Sequence, residues 1–229
     1  MLTSNDIKKH VGTVAVDIVE PGMVLGVGTG TTVYWFIIAL AEKIKNGLDC
    51  KAVPTSTQTE ALAKQHNIPL LALNDVERIA LTIDGADEVT PGLQLIKGGG
   101  GALLQEKMVA AASERLVIIA DNTKLVPHLG RFPLPVEVVR YGWKQVQRHI
   151  HQLYSIDAPL RIKNGSPVVT DHGHYILDCP FGRIHDAPAL AVGLNTLPGV
   201  VDNGLFIRMA TQALIGFPDG IIKTLSCKD

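Results

Sequence analysis

The sequence predicts an α/β protein: a doubly wound, mostly parallel sheet that carries a second, smaller α+β unit. Three observations lead there. Strand-like runs in the first half are continuously apolar, as in Leu116-Val117-Ile118-Ile119-Ala120, which marks strands buried on both faces. Helix-period segments separate those runs, giving β-α-β order. Hydrophobic residues make up 46% of the 229 but aromatics only 5%, so the core must be aliphatic, which suits helices packed on a parallel sheet.

The elements follow in order. Residues 4–19 read as an amphipathic helix with Ile7, Val11, Val14 and Ile18 on one face, ended by Pro21-Gly22. Met23–Val27 is a short buried strand, and residues 32–46 form a helix closed by Gly47 at its C-terminus. A weak strand near 50–53 leads through the polar turn Pro54–Thr59 to a helix at 58–66. Ile68–Leu73 and Ile79–Ile83 read as strands, and the second runs into Asp84-Gly85. Leu95-Ile96 leads to Lys97, four glycines and a helix at 102–113, and the strand Leu116–Ala120 stops at Asp121. The pattern then changes near Phe132-Pro133-Leu134-Pro135. A strand (136–140), a helix (142–153), short strands (159–163, 167–171, 174–179), a helix (186–196) and a strand (199–206) give β-α-β-β-α-β, a ferredoxin-like order. The tail, Ala213–Ile215 and Ile221-Ile222, reads as a hairpin returning to the first sheet. The expected division is therefore 1–131 plus 207–229 for a Rossmann-like catalytic domain and 132–206 for the ferredoxin-like domain.

Composition excludes several function classes. A net charge of −1 gives no global field to hold nucleic acid or an anionic membrane, so neither is expected as a partner. The longest strongly apolar run, Val33–Leu40, is far short of the ~20 residues of a membrane span. Asp6, Lys8, Lys9 and His10 interrupt any signal-peptide pattern. Cys50, Cys179 and Cys227 are widely spaced and form no CxxC, which points to a reducing cytoplasm without disulfides.

In a parallel sheet the strand C-termini share one edge, where ligands bind near the switch in strand order. Four strand ends deliver polar segments there: Gly28–Thr32, Pro54–Thr59, Asp84–Glu88 and Asp121–Lys124. Gly26-Val27-Gly28-Thr29-Gly30-Thr31-Thr32 lets backbone approach an anion at a helix start. It lacks the third glycine of a dinucleotide fingerprint and the GK[ST] of a Walker loop, so a mononucleotide or sugar phosphate fits better. The plainer reading is a Thr-capped strand–helix turn. Asp84-Gly85-Ala86-Asp87-Glu88 offers three carboxylates for Mg²⁺, for sugar hydroxyls or for proton transfer, or else forms an Asp turn. Lys97-Gly98-Gly99-Gly100-Gly101-Ala102 makes an anion nest beside a fixed cation, with Glu106 on the following helix. A carboxylate beside oxyanion donors and an ammonium is what abstraction of a proton next to a carbonyl requires; the alternative is a flexible loop with a surface Glu–Lys pair. Lys124, with Lys8 or Lys9, can reach an anion at the rim; the plainer reading of each is a solvated surface lysine. The pairs His149/His151 and His172/His174 read as surface residues.

Taken together, these motifs resemble ribose-5-phosphate isomerase of type A from end to end. The matching residues are Gly26–Thr32, Pro54-Thr55-Ser56, Asp84–Glu88, Lys97–Gly100, Glu106-Lys107, Ala120-Asp121, Lys124, Phe132–Val138, Pro198–Val201 and Gly204-Leu205-Phe206. The resemblance implies interconversion of ribose 5-phosphate and ribulose 5-phosphate in the non-oxidative pentose phosphate pathway, with no cofactor and no metal. It implies a homodimer or a dimer of dimers. Carried over by position, Glu106 shuttles the proton between C1 and C2, and Asp84, Asp87 and Lys97 surround the reacting carbons with Gly85, Ala86, Gly98, Gly99 and Gly100. Thr29, Gly30, Thr31 and Thr32, with Lys124 and Lys8, hold the phosphate and flank the sugar. Two positions depart from the pattern: Thr31 stands where Ser is usual, and Gln105 where Arg is common. The rival readings are a sugar-phosphate deaminase or CoA transferase on a similar fold, and a phosphosugar-sensing module without catalysis.

Overall fold

The computed structural model describes residues 1–226; Cys227 lies outside them. The chain begins with helix α1 (Ser4–Ala15), capped by Thr3, whose hydroxyl accepts from the Asp6 amide while Asp6 accepts in return. Its fully buried residues are Ile7, Val11, Gly12 and Ala15; of the other two expected on this face, Val14 is half-buried and Ile18, in a final 3₁₀ turn (Val16–Ile18), packs partly buried against the same core. Gly12 sits where this helix meets the next one. A Cβ there would lie 2.8 Å from the Phe36 amide nitrogen, so the glycine allows α1 to press directly onto the next helix.

Strand β1 (Val24–Val27) leads to α2 (Thr31–Lys45), β2 (Lys51–Pro54) and α3 (Thr57–Gln65). Next come β3 (Leu81–Asp84), β4 (Glu88–Val89), β5 (Leu95–Ile96), α4 (Leu103–Ala111) and β6 (Leu116–Asp121). The expected strand at Ile68–Leu73 is a single bridge from Leu70 to Ala52 followed by a 3₁₀ turn. Leu71 and Leu73 pack on a small apolar cluster around Val53 and Ile79, which accounts for their apolar run without a strand.

The second half contains β7 (Leu134–Val138), α5 (Trp143–Tyr154), β8 (Ile162–Lys163), β9 (Ser166–Pro167), β10 (Tyr175–Cys179), α6 (Ala187–Asn195), β11 (Val200–Asn203), β12 (Leu205–Phe206), β13 (Gln212–Gly216) and β14 (Ile222–Ser226). The main sheet has the order β14-β13-β6-β3-β1-β2 and is parallel except for β14 at its edge. The tail hairpin therefore does extend the first sheet.

Residues of alternate parity on β6 enter different cores. Val117 and Ile119 join α1 and α2 on one face, and Leu116, Ile118 and Ala120 join Val89, Leu95 and Phe206 on the other. That second face is covered by α4 and by the antiparallel β12-β5-β4. The expected strand 199–206 is thus split between two sheets. The smaller sheet, β10-β7-β11, is antiparallel and packs Val136 and Val138 on α5 and α6. Leu160 bridges to Leu177 beyond β10, so the second strand of the ferredoxin-like order survives as a bridge. No helix of the described residues is long and apolar enough to cross a membrane.

Candidate active site

The chain leaves β1 toward β2 on one side, while β3, β6 and β13 extend the other way. The strand order therefore switches between β1 and β3, and the residues after these two strands meet there. Gly28 lies so close to β3 that a Cβ would fall 2.1 Å from Asp84 Oδ1 and 2.6 Å from Asp84 Cα. The Thr29 amide donates to Asp84 Oδ1 (3.1 Å). The Thr29 hydroxyl donates to Ser56 Oγ (2.7 Å), Ser56 to Thr59 Oγ1 (3.1 Å) and Thr59 to the Gly28 carbonyl (2.7 Å). Such a relay polarises its own members and holds the loop in one shape. Beyond it, no side chain caps the N-terminus of α2, so the first amides of that helix have no capping partner.

The glycine-rich loop after β5 brings Lys97 and Glu106 together. Lys97 is 2% exposed, Asp84 1% and Glu106 4%. Lys97 Nζ donates to the Gly85 carbonyl (2.6 Å) and lies 3.0 Å from Asp84 Oδ2 and 3.1 Å from Glu106 Oε1. Glu106 Oε2 is buried without a hydrogen-bond partner. Burial and the neighbouring Asp84 charge push the Glu106 pKa up to about 8, against the pull of Lys97. Burial also raises Asp84, opposed by Lys97 and by the amides of Gly85 and Thr29. Burial disfavours the Lys97 ammonium, but the two carboxylates outweigh it and hold its pKa above the ordinary value. One cation thus serves two carboxylates, and burial holds both above their ordinary range against its pull.

An open cavity of about 150 Å³ lies over this group. Lys8, Thr29, Gly30, Thr31, Thr32, Gly85, Ala86, Asp87, Lys97, Gly98, Gly99, Gly100, Glu106 and Lys124 all line it, together with Ala120, part of the Ala120-Asp121 match, and Ile119, which sequence reasoning did not single out. Three side chains of the sequence motifs stand apart from the cavity wall. Asp84 does not line the cavity: its Oδ1 accepts both the Thr29 and Gly85 amides, and its Oδ2 lies 3.0 Å from Lys97 Nζ. Glu88 turns away entirely and accepts the amides of Gly130 and Phe132, 2.7 Å each. Lys9 stands over the Trp35 ring rather than at the rim. His174 is also less superficial than expected, with Nδ1 2.9 Å from the fully buried Glu137. Among the described residues, no group of three His, Cys, Asp or Glu side chains is placed to hold a metal ion.

The family model for ribose 5-phosphate isomerase A (phosphoriboisomerase A) matches residues 51–220. The chain belongs to the ribose 5-phosphate isomerase A family. It is 49% identical to the ribose-5-phosphate isomerase A of Bacillus mycoides over 94% of this chain and 98% of the relative. A Plasmodium falciparum ribose 5-phosphate isomerase superposes with a TM-score of 0.95 at 37% identity, over 98% of this chain and 100% of that one. A D-ribose-5-phosphate isomerase in complex with phospho-erythronic acid also gives 0.95, at 38% identity and the same coverage. Membership makes the chain an isomerase. Within the family frame the structure also explains one departure: Gln105 Nε2 donates to the Pro54 carbonyl at the end of β2 (3.0 Å), tying α4 to the neighbouring strand. Thr31 lines the cavity with its hydroxyl retained. In sequence the hydroxyl relay of Ser56 and Thr59 showed only as a polar turn and the Pro54-Thr55-Ser56 match, because its partners Thr29 and Gly28 lie 27 and 31 residues away.

Proposed function

We propose that this isomerase interconverts ribose 5-phosphate and ribulose 5-phosphate through a cis-enediolate, with Glu106 as the base. The observation that carries this reading is the unpartnered Glu106 Oε2 in a buried site with Lys97 at 3.1 Å from the other oxygen. Glu106 takes the proton from C2 of the open-chain aldose and returns it to C1. Lys97 and the amides of the glycine loop stabilise the oxygen that gains charge. Asp87, held by the Gly99 amide at 2.7 Å, faces the sugar and assists ring opening. Asp84 keeps Lys97 and the Thr29 loop in place. The free amides at the start of α2, with Thr31, Thr32, Lys124 and Lys8, take the phosphate. We read residues 132–206 as a separate domain, the protein as cytoplasmic and the assembly as a homodimer or dimer of dimers; sedimentation analysis measures the last.

The test is turnover of ribose 5-phosphate in D₂O. The product should carry deuterium at the exchanged carbon. Glu106→Gln should lower kcat by at least ~10²–10⁴-fold, and near-normal turnover by that variant would remove Glu106 from the role.

A further inference from the structure

One charged side chain reaches the glycine loop from the smaller sheet and lies outside the cavity. Arg161 follows the Leu160 bridge, and its backbone is fixed on β10 by its amide to the Ile176 carbonyl (2.8 Å). Its guanidinium meets Asp178 along one edge, Nε donating to Oδ2 at 3.0 Å and Nη2 to Oδ1 at 2.5 Å. Such a bidentate pair fixes the plane of the fork. The remaining nitrogen, Nη1, donates to the carbonyls of Gly98 (2.7 Å) and Gly99 (3.2 Å).

Trans peptide geometry turns this contact into a statement about the nest. The C=O of one residue and the N–H of the next point in opposite directions across one planar unit, and the chain has no cis peptide bond. Drawing the Gly98 carbonyl to Arg161 therefore aims the Gly99 amide the other way, where it meets Asp87 at 2.7 Å. Drawing the Gly99 carbonyl to the same nitrogen aims the Gly100 amide away from Arg161, at a residue that lines the cavity. Glycine itself supplies little preference, Gly98 sitting at φ +100 and Gly101 at +87; the turn bond from the Gly101 amide to the Gly98 carbonyl (3.0 Å) shares that carbonyl with Arg161, while the Gly99 carbonyl is held by Arg161.

We propose that Arg161, oriented by Asp178, is a positioning residue for the isomerase reaction: it holds the Gly98–Gly99 and Gly99–Gly100 peptides so that their amides face Asp87 and the reacting oxygen. This rests on the enediolate reading above. Arg161 touches no substrate. It sets the direction of donors that do, across the boundary between the two sheets.

The experiment compares wild type, Arg161→Met, Arg161→Ala and Asp178→Asn. Three quantities are read: kcat and KM for ribose 5-phosphate, inhibition by inorganic phosphate, and inhibition by phospho-erythronate. The last is a four-carbon aldonate phosphate whose carboxylate resembles the charge of an enediolate. Arg161→Met should lose at least ~10-fold in kcat, with KM and phosphate inhibition within about two-fold. Phospho-erythronate should weaken in step with kcat, and added guanidinium should restore part of the kcat of Arg161→Ala. A purely structural role predicts instead fewer active molecules with unchanged inhibition constants, or equal loss for both inhibitors; either result overturns the proposal. If the Arg161 variants do not fold, Asp178→Asn keeps the guanidinium but loosens its plane, and must move kcat and phospho-erythronate inhibition together; unchanged values overturn the proposal. Failure of the wild-type protein to turn over ribose 5-phosphate would strike the function itself. An active wild type with unaffected Arg161 variants strikes only this proposal.

Discussion

Glu106 and Asp84 share one buried ammonium, so the acid–base behaviour of the site belongs to the trio. A carboxylate at its ordinary pKa would be fully ionised above pH ~6, and kcat/KM would be flat through neutrality. With Glu106 pushed up to about 8, the proposed base is largely protonated in the free enzyme at pH 7, and kcat/KM should reach half its maximum near pH 8 and level off about a unit above it. The pH profile of initial rates checks this; an acid limb near pH 5 would mean that Lys97 dominates over burial. The inflection is a property of the coupled group rather than of one residue. The same shift has a stability consequence with a definite sign. The folded state binds the Glu106 proton more tightly than the unfolded chain, whose value is about 4.5. Stability therefore falls as pH rises from about 4.5 to about 8. Glu106→Gln removes that slope, so its unfolding midpoint should match wild type near pH 5 and exceed it above pH 8. At ~1.4 kcal/mol per pH unit the ceiling of the difference is about 5 kcal/mol. Thermal melts of both proteins across that range measure it.

At the scale of elements, the strand ends and the glycines after them do the assembling, and much of this was legible. Continuous apolar runs identified β1, β3 and β6, and the polar residues following them had to share one edge. Gly47 at the end of α2 was also readable: it adopts φ +102 while the Leu48 amide returns to the Lys43 carbonyl. Which glycines pack and which only turn was not legible, because that depends on what lies opposite. Gly28 faces the main chain of β3, whereas Gly47 has nothing within 4 Å of a Cβ. Gly28→Ala must push β1 from β3 and move Asp84, so it should cost roughly 1–3 kcal/mol or more and lower kcat substantially through Lys97. Gly47→Ala strains its backbone by ~1 kcal/mol and should leave kcat unchanged. Denaturant melts and steady-state rates of the two variants separate the effects, and equal loss of kcat in both would refute this assignment.

Across the whole molecule the two sheets meet through side chains that sequence order conceals. Arg161 reaches back 62 residues to Gly99, and Lys107 crosses to Asp202 (2.7 Å) and the Asn203 carbonyl (2.6 Å). Periodicity reports neighbours within an element, and such distant pairs leave no periodic trace. Glu88 shows how the omission misleads. Its place beside Asp84 and Asp87 suggested a carboxylate cluster, yet β4 points it toward the segment that enters the smaller sheet. It is fully buried, and both of its oxygens accept main-chain amides at the turn 130–132. Glu88→Gln would set an NH₂ group against one of those N–H donors and leave both unsatisfied in the interior. The expected loss is ~2–4 kcal/mol, or roughly ten degrees in unfolding midpoint at ~2–4 °C per kcal/mol. Because Glu88 does not line the cavity, kcat of the folded protein at 25 °C should stay within about three-fold. A loss of kcat like that of Glu106→Gln, with the melting temperature preserved, would return Glu88 to the chemistry and undo its assignment as the anchor between the sheets.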